Sequence, residues 1–416
     1  MRTVLTKGRD KLIAQLVARR NSVDERALPV AKRTIAGVRK GGDDALRRYA
    51  VRFDGITKQS QLRISQSELQ QAWQGISPAF RNALETAAKN IRRFAQKQLP
   101  KEWSFEQVPG LTVGQKISPL ASVGCYVPSG RYPLPSTLLM TAIPAQVAGV
   151  PRIVAVSPKP AKETLAAAAF LGITEFYRIG GAQAVAALAY GTESIPRVDK
   201  IVGPGNAFVT AAKKLVSFDC AIDMLAGPTE IVVTSENGDP ALIASDLVAQ
   251  AEHDPDALAI FITTNKELAE KVSAGVKERV RGNSIAAQSI KANGVIFVAG
   301  SVTEAREITN RLAPEHLTVD SESDLEWVQN AGSVFVGRYS AQPLGDYISG
   351  PNHTLPTGGL ARVRGGLSVY DFVKTITVQQ YDRRALQALG PKAITLAEAE
   401  GLKGHAEAIR ARGARG

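Results

Sequence analysis

The sequence predicts an α/β fold in which parallel β-sheets are flanked by helices. Between residues 120 and 336, short apolar segments typical of buried strands alternate with helical segments. The loops between them contain only a few residues, and several carry Gly and Pro, as at 128–135. Short loops between alternating strands and helices are typical of parallel sheets. We therefore expect two successive α/β regions, the first ending at the Gly227-Pro228 loop.

Each region contains a regular series of predicted elements. In the first region we expect strands at 120–127, 151–156, 175–179 and 200–202, and helices at 136–148, 161–171, 182–190 and 207–216. In the second we expect strands at 230–234, 258–263, 294–298 and 334–336, and helices at 240–252, 266–280 and 302–312.

The flanking segments have other patterns. Helical spacing covers 10–19, 24–40 (ended by Gly41-Gly42), 66–99 (with Ser65 and Ser77 as N-caps and Glu68 completing a capping box) and 396–410. Short strands are expected at 102–118. Residues 340–366 form a long irregular segment, and loops of that length are usually functional.

The composition is that of a folded intracellular protein. Hydrophobic residues make up 44% of the 416 residues, which is sufficient for large cores. Two cysteines, Cys125 and Cys220, are too few for a disulfide framework. No apolar run has the length of a membrane span, and the N-terminus lacks the apolar core of a signal peptide. We therefore expect a cytoplasmic protein that does not contact membranes.

The net charge of +12 raises the alternative of a nucleic-acid-binding protein. The basic residues are scattered among acidic ones, however, and only the tail at 409–416 carries basic charges alone. No helix-turn-helix, zinc-finger or RNA-binding motif is present. We therefore expect no nucleic-acid partner.

The four histidines of the chain each lie at or near the end of an element beside a polar residue, and the four together indicate function more strongly than any one alone. They are His253 beside Gln250, His316 beside Glu315, His353 beside Asn352, and His405 near Glu400.

Gln250 and His253 are three residues apart at a helix end and share one face. With Asp346 and another histidine they would form a set of nitrogen and oxygen ligands suited to Zn²⁺. The alternative is an ordinary helix C-terminus with a solvated histidine.

Two further patterns indicate chemistry. The adjacent Glu315 and His316 offer two proton-transfer groups, although the pair could also be an ordinary surface dipeptide. Gly-rich loops at 180–183, 203–206 and 227–228 follow predicted strands, where backbone N–H groups can bind phosphates. None of these loops matches the common dinucleotide fingerprint GxGxxG.

Long segments of the chain resemble the histidinol dehydrogenase family, from about residue 30 to residue 410. The segments are YVPSGRYPLPSTLLMTAIPAQVAGV, GGAQAVAALAYGTESIPRVDKIVGPGNAFVTAAK, DMLAGPTE, DLVAQAEHDPDA, APEHL, GDYISGPNHTLPTGGLAR and LSVYDF. The resemblance implies two incomplete Rossmann-like domains, small helical terminal segments and an intertwined homodimer. The implied division is an N-terminal arm (1–20), a first α/β domain with the metal and catalytic residues (21–119 and 230–366), a second that binds NAD (120–229), and a tail that contributes to the partner's active site (367–416).

The resemblance also implies a zinc- and NAD-dependent oxidation of L-histidinol, through the aldehyde, to L-histidine, the last step of histidine biosynthesis. One Zn²⁺ per subunit would be bound by Gln250, His253, Asp346 and, from the other subunit, His405. NAD would contact Tyr126, Gln183 and Asn206. The substrate would contact Thr229, His353, Glu400, the metal ligands and the catalytic pair Glu315 and His316.

Two departures from the family pattern leave an alternative open. Thr229 stands where the family usually has Ser, and its extra methyl group crowds a substrate pocket. The loop PSGRYP, with Arg131 and Tyr132, stands where a PGG loop is more usual. A zinc- and NAD-dependent dehydrogenase of another small amino or sulfo alcohol is therefore the alternative. Cys125, beside Tyr126, has no adjacent base, and we assign it no catalytic role.

Overall fold

The computed structural model describes residues 1–4, 9–20, 26–57, 59–129 and 132–413. Arg131 and the first residues of the helix predicted at 24–40 lie outside this part of the chain. The chain divides into two compact units. The first comprises Met1–Gln98 and Ala121–Phe372, and the second Leu99–Leu120 and Val373–Gly416.

The strands are β1 (Arg2–Val4), β2 (Trp103–Val108), β3 (Leu111–Pro119), β4 (Ser122–Tyr126), β5 (Arg152–Val156), β6 (Glu175–Tyr177), β7 (Lys200–Val202), β8 (Ala221–Ile222), β9 (Glu230–Thr234), β10 (Leu258–Thr263), β11 (Val295–Val298), β12 (His316–Val319), β13 (Ser333–Val336) and β14 (Val373–Tyr381). The helices are α1 (Arg9–Arg20), α2 (Ala27–Tyr49), α3 (Gln66–Gly75), α4 (Pro78–Lys97), α5 (Pro135–Ala148), α6 (Lys162–Phe170), α7 (Gly181–Tyr190), α8 (Ala207–Val216), α9 (Pro240–Ala251), α10 (Lys266–Arg279), α11 (Ser284–Asn293), α12 (Val302–Leu312), α13 (Gln342–Tyr347), α14 (Arg383–Ala399) and α15 (Lys403–Arg410).

The first unit contains a parallel five-stranded sheet in the order β6-β5-β4-β7-β8. This is the strand order of a Rossmann domain, in which the chain builds outward from a central first strand and then crosses to its other side. Ligands of such sheets bind at the carboxyl ends of the strands where the order reverses. In this sheet that position lies between β4 and β7.

A second parallel sheet has the order β1-β11-β10-β9-β12-β13. Strands β9 to β13 repeat the Rossmann order, and β1 adds an edge strand. The central strands β9 and β10 are buried along their whole length, because helices cover both faces of the sheet. The predicted α/β fold with two Rossmann-like sheets is therefore confirmed.

The N-terminal helices pack on the five-stranded sheet's layer. Ala31, Ile35 and Val38 of α2 share a buried cluster with residues of α7 and α8, and α3 and α4 contact α6 and α5. The grouping of 21–119 with 230–366, which the resemblance implies, stays a prediction. Because these contacts join segments that are distant in the chain, helical periodicity alone could not identify the partners.

The helix expected to end at Gly41-Gly42 continues to Tyr49. Gly42 instead produces a kink, with φ of +47° that favours glycine. The carboxylate of Glu193 accepts a hydrogen bond from the backbone N–H of Asp43 at 2.7 Å and stabilises the kinked turn. The N-caps Ser65 and Ser77 are confirmed, since their hydroxyls accept from backbone N–H groups at 3.2 and 3.1 Å. The side chain of Glu68, which was predicted to complete the capping box at Ser65, forms an ion pair with Arg178.

The second unit is an antiparallel three-stranded sheet, β14-β3-β2, with α14 and α15 packed against each other through Ile394 and Ala406. The helix expected at 396–410 is two helices, because Gly401 between them adopts a φ of +76°. The segment expected as a separate tail thus pairs with the strand at 111–119.

Both cysteines are buried in the first unit. Burial raises the pKa of the Cys125 thiol to about 12 and that of Cys220 to about 11. Neither thiol is positioned as a nucleophile, as expected for Cys125. In the part of the chain that the structure describes, no helix has the length and apolar character needed to cross a membrane.

Candidate active site

Four polar residues meet at the amino ends of β9 and β12, which are neighbours in the six-stranded sheet. Glu230 is the first residue of β9 and His316 the first of β12, and Thr229 and Glu315 directly precede them. The parallel register pairs His316 with Ile231, so the two dipeptides lie side by side. This position differs from the usual carboxyl-edge site of such sheets, and strand order alone would not have indicated it.

The two glutamates hold each other reciprocally. The backbone N–H of Glu230 donates to Glu315 Oε2 at 2.8 Å, and that of Glu315 donates to Glu230 Oε1 at 3.2 Å. Thr229 Oγ1 also donates to Glu315 Oε2, at 2.5 Å. Burial raises the pKa of Glu315. The charge of His316 and the hydrogen bonds from Thr229 and the Glu230 N–H offset part of that rise. The contacts therefore fix one carboxylate oxygen of Glu315 at the strand ends.

The buried imidazole of His316 has a defined orientation. Its Nδ1 lies 3.1 Å from the backbone oxygen of Glu230, which only accepts, so Nδ1 carries a hydrogen. Its Nε2 has no hydrogen-bond partner and lies 3.8 Å from Asp346 Oδ1. Burial alone would lower the pKa of His316, but the carboxylates of Glu315 and Asp346 raise it to about 9. Nε2 is thus the ring atom available for proton transfer.

A cavity of about 370 Å³ opens beside His316. Asp346 and His353, from the segment expected to be irregular, line it. His353 Nδ1 donates to the backbone oxygen of Asp346 at 2.8 Å, and Gln342 Nε2 donates to Asp346 Oδ2 at 3.0 Å. Asn352 anchors the segment by donating to Met140 O of buried α5 at 2.6 Å. These contacts explain why a Gly- and Pro-rich segment is well positioned here.

The electrostatics of the cavity favour an ionised Asp346. Burial raises the pKa of Asp346, but interaction with His316 and the nearby charges of His353 and His253 outweigh it, and the pKa is lowered overall. Burial lowers the pKa of His353 despite the opposing effect of Asp346. A negative group surrounded by imidazoles is a suitable environment for a cation.

Gln250 lies in the last turn of α9 and His253 lies two residues after its end, and Gln250 contacts the cluster through Thr229. Gln250 is buried and its Nε2 donates to Thr229 Oγ1, while its Oε1 has no partner. His253 is exposed, and its Nδ1 lies 3.1 Å from the backbone oxygen of Ala249, a terminal carbonyl of the helix. The helix end therefore offers one free amide oxygen and one accessible imidazole.

These groups fit the ligand types of a zinc site. An amide oxygen, an imidazole and a carboxylate are available from Gln250, His253 and Asp346, and the buried Gln250 Oε1 lacks the partner that a cation would supply. Within the described ranges, no group of three His, Cys, Asp or Glu side chains is arranged to hold a metal. The candidate ligand set contains only two side chains of these types, because its third donor is the amide oxygen of Gln250.

The predicted nucleotide contacts lie at the carboxyl edge of the five-stranded sheet. Tyr126 ends β4, and its hydroxyl accepts from the backbone N–H of Gly181 at 2.9 Å. Gln183 is buried and donates to Asp54 Oδ2 at 3.1 Å. Asn206 follows β7 and caps α8, accepting from two backbone N–H groups at 3.1 Å. All three thus occupy the edge at which Rossmann sheets bind ligands.

The sequence did not identify three residues that organise these sites. Asp54, at the end of a π-helical turn, accepts from Gly180 N and Gln183 Nε2, each at 3.1 Å. Glu230 holds Glu315, and Gln342 holds Asp346. Only Glu230 carried a signal, because it directly follows Thr229 at a strand start. Asp54 and Gln342 have no motif in the sequence around them.

Three further residues singled out in the sequence are exposed. Glu400 and His405 belong to the second unit, where both are exposed. Tyr132, next to Arg131, is 48% exposed.

Two Rossmann-type sheets, with a buried carboxylate–imidazole pair beside a cavity, are consistent with an oxidoreductase of the dehydrogenase class. The family model described as histidinol dehydrogenase matches residues 17–413. The chain belongs to the histidinol dehydrogenase family.

Individual relatives agree with this assignment. The chain is 46% identical to the histidinol dehydrogenase of Methanothermobacter thermautotrophicus over 96% of each chain. It is 45% identical to that of Oceanobacillus iheyensis, over 95% of this chain and 94% of the relative. The crystal structure of histidinol dehydrogenase from Elizabethkingia anophelis superimposes with a TM-score of 0.93 at 34% identity, covering 99% of this chain and 98% of that one.

Proposed function

We propose that this protein oxidises L-histidinol to L-histidine in two steps, using one Zn²⁺ per subunit and two molecules of NAD⁺. The observation that carries the proposal is the geometry of Glu315 and His316 beside a cavity that also receives Asp346 and His353. A small amino alcohol with an imidazole ring matches a cavity of about 370 Å³ lined by carboxylate and imidazole groups.

We assign the zinc to Gln250, His253 and Asp346, with His405 from a second copy of the chain as the fourth ligand. Zinc at this position would supply positive charge for binding the imidazole and amine of the substrate and would offset the Asp346 carboxylate beside His316. Tyr126, Gln183 and Asn206 would hold NAD⁺, which would supply the hydride acceptor for each oxidation.

The residues of the chain move the protons. His316, held by its Nδ1–H on the Glu230 carbonyl, takes the hydroxyl proton of histidinol at Nε2 as the alcohol becomes an aldehyde. Glu315 then takes a proton from a water molecule as the water oxygen adds to the aldehyde carbon, and His316 gives its proton to the former carbonyl oxygen, which forms the hydrate. His316, neutral again, removes a hydroxyl proton of this hydrate as the second hydride leaves. The sum is one alcohol, one water and two NAD⁺ converted to one carboxylate, two NADH and three protons.

His353, Thr229 and Glu400 are assigned to substrate contacts, Glu400 together with His405 from the second copy. This assignment requires a homodimer. We also propose that the enzyme acts in the cytoplasm, without nucleic-acid or membrane partners.

The test is NADH formation from L-histidinol by the protein before chelation, after chelation, and after Zn²⁺ is restored. We expect two NADH per histidinol consumed, loss of turnover on chelation, and recovery with Zn²⁺. No turnover by the zinc-loaded protein would contradict the proposal.

A parallel assay with other small amino and sulfo alcohols tests the alternative substrate class. Thr229 motivates that comparison, since it brings a methyl group to the site where the family usually has Ser. Faster turnover of one of these alcohols than of histidinol would favour the alternative.

A further inference from the structure

We propose that the hydroxyl of Thr229 is a relay that orients the Gln250 carbonyl oxygen toward the zinc site and at the same time holds the Glu315 carboxylate. Thr229 is then a positioning residue for a metal ligand and for the proton-transfer pair. This inference rests on the proposed function, because it assigns a role toward the zinc.

The first step is the hydrogen-bond direction at Thr229. A threonine hydroxyl has one hydrogen to donate and two lone pairs that accept. Glu315 Oε2 already accepts from the backbone N–H of Glu230 at 2.8 Å, so it acts as an acceptor. Thr229 Oγ1 lies 2.5 Å from the same oxygen and therefore donates its only hydrogen to Glu315.

The second step follows for Gln250. Because the hydrogen of Thr229 is committed to Glu315, its oxygen accepts from Gln250, and the amide nitrogen Nε2 faces Thr229. A flipped amide would place Gln250 Oε1 against the lone pairs of Thr229 Oγ1. The hydroxyl thus selects one of the two amide orientations of Gln250.

The third step concerns the oxygen that this orientation leaves free. Gln250 Oε1 is buried without a hydrogen-bond partner, and Gln250 is only 1% exposed. An unsatisfied buried acceptor destabilises the metal-free protein, and a bound cation would relieve that cost. His253, three residues further along the chain, is the neighbouring donor for the same cation. The relay therefore prepares the metal site before the metal binds.

The relay also connects the zinc site with Glu315. The same hydroxyl contacts both the Gln250 amide and the Glu315 carboxylate, so a change at Thr229 alters both sites. Only a hydroxyl gives this connection, and either Thr or Ser supplies it. A valine at this position keeps the shape of the side chain but neither donates nor accepts a hydrogen bond.

The experiment measures the zinc dissociation constant by competition with a chelating dye, without substrate, for the wild type, Thr229→Val and Thr229→Ser. Substitutions that disturb the orientation of a ligand typically weaken metal binding about 10–100-fold. We expect that loss for Thr229→Val and a change below about threefold for Thr229→Ser.

Thr234→Val is the matched control, because Thr234 lies on the same strand β9 and its hydroxyl contacts Thr309, at 2.7 Å, rather than Gln250. We expect its zinc affinity to equal that of the wild type. Zinc affinity in Thr229→Val equal to that of the wild type would overturn the relay.

A double substitution separates a relay from a general structural effect. In a Gln250→Ala background, Thr229→Val should cause no further loss of zinc affinity, because the oriented ligand is already absent. Additive losses would overturn the relay. If Thr229→Val does not fold, Thr229→Ala replaces it in both measurements.

The failure of the proposed function has a different signature. A wild-type protein that binds no zinc contradicts both the proposed function and the relay. A wild-type protein that binds zinc and oxidises histidinol, with Thr229→Val binding zinc equally well, contradicts the relay alone.

Discussion

At the scale of single residues, the chemistry depends on how backbone groups orient Glu315 and His316. The Glu230 carbonyl selects the Nδ1–H tautomer of His316, and the Glu230 N–H fixes one oxygen of Glu315. The adjacent carboxylate raises the pKa of His316, and the imidazole charge opposes the rise in the pKa of Glu315. The two side chains therefore titrate as a pair.

Glu315→Gln should slow the oxidation of the aldehyde more than the oxidation of the alcohol. Glutamine keeps the size and the acceptor oxygen but cannot take a proton from water. Loss of a general base costs about 10²–10⁴-fold in rate, so we expect at least about a 100-fold loss for histidinaldehyde and less than about 10-fold for histidinol oxidation to the aldehyde. Single-turnover measurements with each substrate check this.

The control for this prediction is Glu322→Gln, which removes an exposed carboxylate a few residues further along the chain. Both rates should be unchanged in that variant. Fast aldehyde oxidation by Glu315→Gln would contradict the role of Glu315 in water activation.

The sequence identified many residues of the site but few of the contacts that organise them. Glu315 and His316 were recognisable because two proton-transfer groups are adjacent, and Gln250 and His253 because they share a helical face. The contact between Glu230 and Glu315 joins positions 85 apart. Such a contact depends on the register of β9 and β12, and local spacing does not encode it.

At the scale of elements, the loop that carries Asn206 is held by a buried ion pair. Lys213 of α8 pairs with Asp223 and donates to Gly203 O at 2.9 Å, and Gly203 N donates to Asp223 Oδ2 at 2.7 Å. The side chains are only 3% and 0% exposed. This pair connects α8, the loop after β7 and the segment after β8.

Lys213→Met should destabilise the protein strongly, because it leaves the Asp223 carboxylate buried without a cation. Breaking a buried pair typically costs about 3–5 kcal/mol, and we expect the lower end, since two backbone N–H groups still donate to Asp223. Chemical denaturation measures the free energy of unfolding.

Lys214→Met is the matched control, because Lys214 is the next residue of α8 and is exposed. It should change the free energy of unfolding by less than about 0.5 kcal/mol. Equal effects of the two substitutions would show that the buried pair has no special contribution.

Elements were predicted well where they are local. Most of the alternating strands and helices from 120 to 336 were predicted from hydrophobic pattern and loop residues, but α11 and β12 were not. The end of α2 was misjudged because Gly41-Gly42 is a strong helix-end signal, whereas contacts with Glu193, far along the chain, stabilise a kink instead. The pairing of β14 with β3 was not predicted, because the two strands are more than 250 residues apart in the chain.

At the scale of the whole molecule, the two candidate sites of the first unit lie at opposite edges of two different sheets. The predicted nucleotide contacts lie at the carboxyl edge of one sheet, and Glu315 and His316 lie at the amino edge of the other. The homodimer implied by the resemblance stays a prediction, as does the contribution of His405 to the partner's zinc.

Mixing two inactive variants tests this arrangement. His316→Ala lacks the base, and His405→Ala lacks the predicted ligand from the tail. If tails are exchanged, a mixed dimer contains one site with both residues intact. Random pairing makes half of the dimers mixed, so co-refolding should recover about a quarter of wild-type activity.

Each variant refolded alone serves as the control and should stay inactive or weakly active. Recovery limited to the sum of the separate activities would mean that His405 serves the site of its own chain or no site.

The two buried thiols have a practical consequence for testing whether the tail of one copy reaches the site of another. With pKa values of about 12 and 11, neither Cys125 nor Cys220 forms much thiolate at neutral pH, and both are shielded from solvent. A cysteine introduced on an exposed position of α15, such as Glu407, would be the one thiol that a spin label or fluorophore readily modifies in the folded protein. The natural sequence is thus already a suitable background for distance spectroscopy between two copies, with no cysteine to remove first.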